Sequence, residues 1–63
     1  MIKNNLQKKI DERGIKKSWL AKEAGLHRNT ITNLIKGADP RLSEAYSITK
    51  VLGLTVYDIW PSI

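Results

Sequence analysis

An all-α domain of five short helices is the fold class this sequence predicts, on three observations. Glycines stand at positions 14, 25, 37 and 53, about one helix apart, with prolines at 40 and 61. No stretch sustains the apolar–polar alternation of a half-buried strand. Apolar residues recur instead at helical spacing, as Ile2, Leu6 and Ile10 do. The chain has 63 residues, so residues 1–63 are read as one domain, without linker or repeat.

Helix 1 is expected over about Asn5 to Arg13, its buried stripe formed by Ile2, Leu6 and Ile10, with Lys8, Lys9, Asp11, Glu12 and Arg13 facing water. Gly14 sits just past its end, where a left-handed cap needs no Cβ, and Ile15 turns back inward. Helix 2 is expected from Lys17 to Ala24, with Leu20, Ala21 and Ala24 inward and Gly25 after it. Helix 3 follows from Arg28 to Lys36, burying Ile31, Leu34 and Ile35. Asp39-Pro40 reads as an N-cap and a first-turn proline, opening a helix 4 over about Arg41 to Leu52. Leu42, Ala45, Ile48, Val51 and Leu52 are its expected buried face. Thr55 and Asp58 have capping-box spacing, which opens helix 5 over Val56 to Trp60 before Pro61 stops it.

Composition narrows the function classes. Eleven Lys and Arg against six Asp and Glu give a net charge of +5. The excess is concentrated in residues 1–24, with seven basic and three acidic side chains. A basic face on a small domain points to a polyanion. No apolar run is long enough to cross a membrane, and no signal-peptide stretch opens the chain, so a cytoplasmic location is expected. There is no cysteine and one histidine, His27, which leaves neither a disulfide, a metal site, nor a catalytic triad. No glycine-rich phosphate loop is present, and so short a chain encloses no ordinary substrate pocket. No cofactor and no catalytic residue are assigned.

Residues 17–36 carry the functional signal. Two helices are joined by a tight turn at Gly25-Leu26-His27. Ala21 stands four residues before the glycine, where two steeply crossing helices approach most closely. Gly25 permits the positive φ that reverses the chain. Ile31 and Leu34, six and nine residues after that glycine, lock the second helix inward. This is the layout of a helix-turn-helix.

In these residues the chain resembles the Cro and lambda-type repressor family, the Xre-type helix-turn-helix proteins. The likeness covers nearly the whole chain, taking in Gly14-Ile15, the motif segments W-L-A-K-E-A-G-L and N-T-I-T-N-L-I-K-G, Pro40, and the ending V-L-G-L-T-V-Y-D-I-W. It implies the five-helix lambda-repressor-like fold and sequence-specific binding of double-stranded DNA. Helix 3 would then lie in the major groove, presenting His27, Arg28, Asn29, Thr32, Asn33 and Lys36. Asparagine pairs bidentately with adenine and arginine with guanine, while threonine can touch a thymine methyl. Lys17 and Ser18 look like phosphate contacts at the start of helix 2. Lys36 and Arg41 bracket a loop that meets the backbone again.

Single residues have plainer readings. Asn29, Thr32 and Asn33 would elsewhere be an ordinary solvated helix face; in this motif that face is the one that can enter a groove. His27 stands where the family usually has a Ser or Thr cap, and reads as a helix-start residue or a phosphate neighbour. Trp19 is expected to pack partly against helix 1 or the C-terminal segment. Lys8-Lys9 reads as solvated charge. Many relatives bury an Arg–Glu ion pair where this chain has Ile10 and Ile35, so those two are expected to touch.

A transcriptional regulator, a stand-alone Cro-like repressor, is the leading expectation. The rival is a protein-interaction module, an antitoxin or antirepressor on the same fold. A membrane-surface role is third, because no helix pairs a strongly basic face with a wide free apolar one. A homodimer is expected through Tyr57, Trp60 and Ile63, large apolar groups that so small a core has difficulty enclosing.

Overall fold

A computed structural model describes residues 4–61 and contains five helices: α1 (Leu6–Arg13), α2 (Lys17–Ala24), α3 (Arg28–Ile35), α4 (Leu42–Leu52) and α5 (Val56–Ile59). Leu6 and Ile10 of α1 are buried, one turn apart, as the spacing predicts. Ile2, the third member of that stripe, lies outside the described residues. Lys9, expected in water, is half-buried and reaches Glu12 at 3.6 Å. The Ile15 N–H bonds back to the Ile10 carbonyl at 3.3 Å, which returns the chain to the core.

Helix α2 packs chiefly on α3 and α4. Ala21 is buried on it beside Leu20, the place where the sequence puts its smallest inward side chain. Gly25 has φ of 70°, and a Cβ there would meet nothing within 4 Å. Its glycine therefore serves the backbone reversal, not close packing. Ile31 and Leu34 of α3 are buried, and Ile35 packs half-buried against the core to which Ile10 belongs.

Helix α4 corrects two expectations. It opens at Leu42 with Arg41 as its N-cap, so Asp39 is not the cap and Pro40 lies outside the helix. Glu44 accounts for the shift: its carboxylate accepts the Arg41 N–H at 2.9 Å, satisfying a donor just ahead of the helix. Leu42 then occupies the first helical position, before the turn that Ala45 and Ile48 bury, and is 71% exposed rather than core. Thr49 is buried there instead, its hydroxyl donating to the Ala45 carbonyl at 2.9 Å.

Thr55 and Asp58 form the expected capping box. The Thr55 N–H donates to the Asp58 carboxylate at 2.8 Å and the Asp58 N–H to the Thr55 hydroxyl at 3.3 Å. The Thr55 backbone N–H, then its hydroxyl, hold the Asp58 carboxyl below its ordinary value of 3.8. Helix α5 ends at Ile59, and Trp60 follows fully buried at 0% exposure. Trp60 is thus not available as an interface residue: it closes the monomer's own core. Its indole N–H has no acceptor among the described residues. Tyr57, on the same short helix, is 69% exposed, and Ile63 lies outside the described residues. The Asn5 N–H donates to the Ile59 carbonyl at 2.7 Å, joining the two ends of the domain.

Candidate nucleic-acid interface

Helix α3 turns two faces in different directions. Its buried face carries Ile31 and Leu34; its other face leaves Arg28, Asn29 and Asn33 exposed, with Thr32 half-exposed between them. Asn29 and Asn33 are one turn apart, so both amides lie along one line of the helix surface. The Thr32 hydroxyl donates to the Arg28 carbonyl at 3.2 Å and is spent inside the helix. His27 caps α3, its Nδ1 accepting the Asn29 N–H at 3.4 Å. Of its two readings, the helix-start role is the one with a visible bond.

Two open clefts flank α3. One, of about 470 Å³, lies against α1, α2 and the first half of α3 and brings Lys17, Ser18, Arg28 and Thr32 together. Lys16 and Gln7 line it too. Lys16 is the N-cap of α2 and makes no capping bond with its side chain, so the cap gives the first amides of α2, which have no intrahelical partners, no side-chain acceptor. Such a helix start, with lysines at its rim, favours an anion. The second cleft, of about 350 Å³, joins Asn33 to Arg41, with Asp39 and Glu44 also on its wall. His27, Asn29 and Lys36 line neither cleft. Lys17, Arg28, Lys36 and Arg41 pair with no acidic side chain among the described residues. Gln7 was not predicted for this surface; its bond to Asp11 at 2.9 Å suits a solvated helix pair, and nothing in its spacing marks the cleft.

The sequence model of the Cro/C1-type HTH DNA-binding domain family matches residues 5–60, nearly the whole chain. The chain belongs to that family. No curated protein matches it at a significant level. As a Cro/C1-type domain it is a DNA-binding module, and α2 with α3 is its helix-turn-helix. The match takes in α1 and α5 as well as the motif. Among the described residues of this Cro/C1-type domain, no three His, Cys, Asp or Glu side chains gather as a metal would require. No helix among them is long and apolar enough to cross a membrane. Trp19, expected to pack on helix 1 or the C-terminal segment, is 46% exposed on α2.

Proposed function

We propose that this Cro/C1-type domain is a sequence-specific transcriptional regulator, a small cytoplasmic Cro-like repressor that lays α3 in the major groove of duplex DNA. The observation that carries this reading is the outward face of α3: Asn29 and Asn33 exposed beside Arg28, with Lys17, Lys36 and Arg41 on the adjoining segments, none of these cations paired with an acidic side chain among the described residues. Asn29 and Asn33 read adenines, and Arg28 reads a guanine or grips a phosphate. Thr32, its hydroxyl spent within the helix, offers a methyl group to thymine. Lys17 and Ser18 hold a phosphate at the start of α2, Lys36 and Arg41 hold the backbone at the far end of α3, and His27 sets the start of the reading helix. The role is binding, without catalysis.

One domain of this size covers too few base pairs to single out a site in a genome. Two copies therefore bind two-fold related half-sites, roughly 34–36 Å apart along the duplex. With Trp60 inside the core, the C-terminal contact between copies falls to exposed Tyr57.

Selection of bound duplexes from a random library, followed by titration at two salt concentrations, tests the reading. A palindromic site whose affinity falls steeply with salt is expected, through release of phosphate counterions. No selected site, or binding indifferent to salt, would refute it. Sedimentation of the saturated complex is expected to give two chains per duplex, and one chain on a non-palindromic site would remove the dimer.

A further inference from the structure

The two ends of α3 are held in different ways. Its start is capped by its own neighbour, through the long and exposed His27–Asn29 bond. Its end is held from the far end of the chain. The Asn4 side-chain Nδ2 donates to the Leu34 carbonyl at 2.8 Å, across 30 residues of sequence. That carbonyl also accepts the Gly37 N–H at 3.1 Å. A carbonyl in the last turn of a helix has no intrahelical partner of its own, so donors from outside the helix are what tie that turn down. The other atom of the same amide, Asn4 Oδ1, accepts the Leu6 N–H at 3.0 Å at the start of α1. One planar group thus joins the first turn of α1 to the last turn of α3. The next residue extends the tie: Asn5 donates its N–H to Ile59 at 2.7 Å and its Nδ2 to the Asp58 carbonyl at 3.1 Å.

We infer that Asn4 is a positioning residue for DNA reading: it fixes the C-terminal end of α3 and thereby the angle at which Asn33 meets its base. The inference rests on the assignment of α3 as the reading helix. Asn33 is the residue most exposed to a loss of this tie, because it precedes Leu34 directly and its own carbonyl holds the Ala38 N–H at 3.0 Å. Arg28 and Asn29 lie at the opposite end of α3, where His27 provides the cap. A residue that merely capped α1 would influence every base position alike, through stability. A residue that aims the end of α3 influences one end of the site.

Asn4→Ser separates the two roles. The serine hydroxyl can still accept the Leu6 N–H, but is one bond too short to reach Leu34, and no charge is added. Asn4→Asp is the second variant: it keeps the acceptor for α1 at a helix start that favours an anion, and places a carboxylate against the Leu34 carbonyl. Position-resolved base preference, from duplex selection with each variant, is the readout, with thermal melting alongside. Both variants are expected to melt below the parent through loss of the part-buried bond to Leu34, Asn4→Asp further than Asn4→Ser, a change that by itself would act on all base positions alike. Preference at the base pairs that Asn33→Ala affects is expected to fall about fivefold, with those affected by Asn29→Ala unchanged. An unaltered preference profile, or a uniform loss at all positions, overturns the inference. Amide hydrogen exchange tests the tie without DNA. Gly37 and Ala38 are expected to exchange about fivefold faster in Asn4→Ser, with Ile10 in α1 unchanged. Equal rates at Gly37 and Ala38 overturn the tie itself. If the parent selects no duplex, the DNA reading of α3 fails, while the exchange rates still decide whether Asn4 holds its end.

Discussion

Helices α3 and α5 are both short, and both place large or polar side chains near the surface, yet they spend them in opposite ways. On α5 the capping groups have partners: Thr55 and Asp58 satisfy each other, and the Ile59 and Asp58 carbonyls accept from Asn5. Trp60, just after it, is enclosed. On α3 the side-chain amides of Asn29 and Asn33 and the Arg28 guanidinium make no bond with another described residue, although their backbones are fully helical. Groups already committed inside a domain contribute to its stability, and groups left uncommitted on a rigid helix are available to something outside. The two uses fall on different side chains, with Ile31 and Leu34 of α3 turned into the core, so stability and recognition can be altered separately.

That separation can be broken or sharpened by substitution. The largest effect is expected at Trp60→Ala, about 3–5 kcal/mol of stability lost through the cavity left in the core. Denaturant unfolding would measure it, and a cost below about 1 kcal/mol would mean that Trp60 does not close the core. Ile10→Ala is expected to follow at about 2–5 kcal/mol by the same measurement. Asn33→Ala is the counterpart on the recognition side. It is expected to relax discrimination at one or two base pairs by about 1–3 kcal/mol, with the unfolding midpoint unmoved. A lowered midpoint with unaltered discrimination would put Asn33 among the structural residues. Lys17→Ala is expected to weaken all duplexes alike and to reduce the salt slope by about one unit. Sequence-dependent loss would instead make Lys17 a base contact.

The smallest effect concerns pH and belongs to α5. The bonds from Thr55 favour the charged Asp58 carboxylate in the folded state, so its folded pKa lies below the ordinary 3.8. Stability from this capping box is therefore fully present above that value and is lost as pH falls through the lowered folded pKa. In Asp58→Asn, thermal melting is expected to show a shallower acid limb below about pH 4 than the parent. An identical acid limb would show that the box contributes nothing through charge.

Helix positions were largely legible because the punctuation is local. Gly14, Gly25 and Gly53 close helices by their own backbone freedom, and Thr55 with Asp58 caps α5 over three residues. The helix-turn-helix was legible because Ala21, Gly25, Ile31 and Leu34 each meet a separate steric demand. What escaped depends on competition between groups. Asp39 and Pro40 have good opening chemistry, but Glu44 reaches back to Arg41 and moves the start of α4. Leu42 then has helical spacing from the core without any neighbour to cover it. Trp60 and Tyr57 look alike as large aromatic residues, and only the three-dimensional course of α5 decides which is enclosed. The Asn4–Leu34 bond links residues too far apart in sequence for any spacing rule to pair them. The outward residues of α3 could be enumerated from the positions that the core leaves over; the clefts at either end, and Gln7 and Lys16 in one of them, required the neighbouring helices.

The contrast between the two tryptophans has an optical consequence. Indole emission shifts to the blue in a dry environment and to the red in water. Trp60, sealed in the core, and Trp19, 46% exposed on α2, therefore give the domain two intrinsic fluorophores in different surroundings, Trp19 the redder of the two. A soluble quencher added to the folded chain dims the red component first and leaves the blue one. Unfolding merges both into a single red band. The signal of Trp60 thus follows the integrity of the interior, while that of Trp19 follows what comes near the outer face of α2, and neither requires a label.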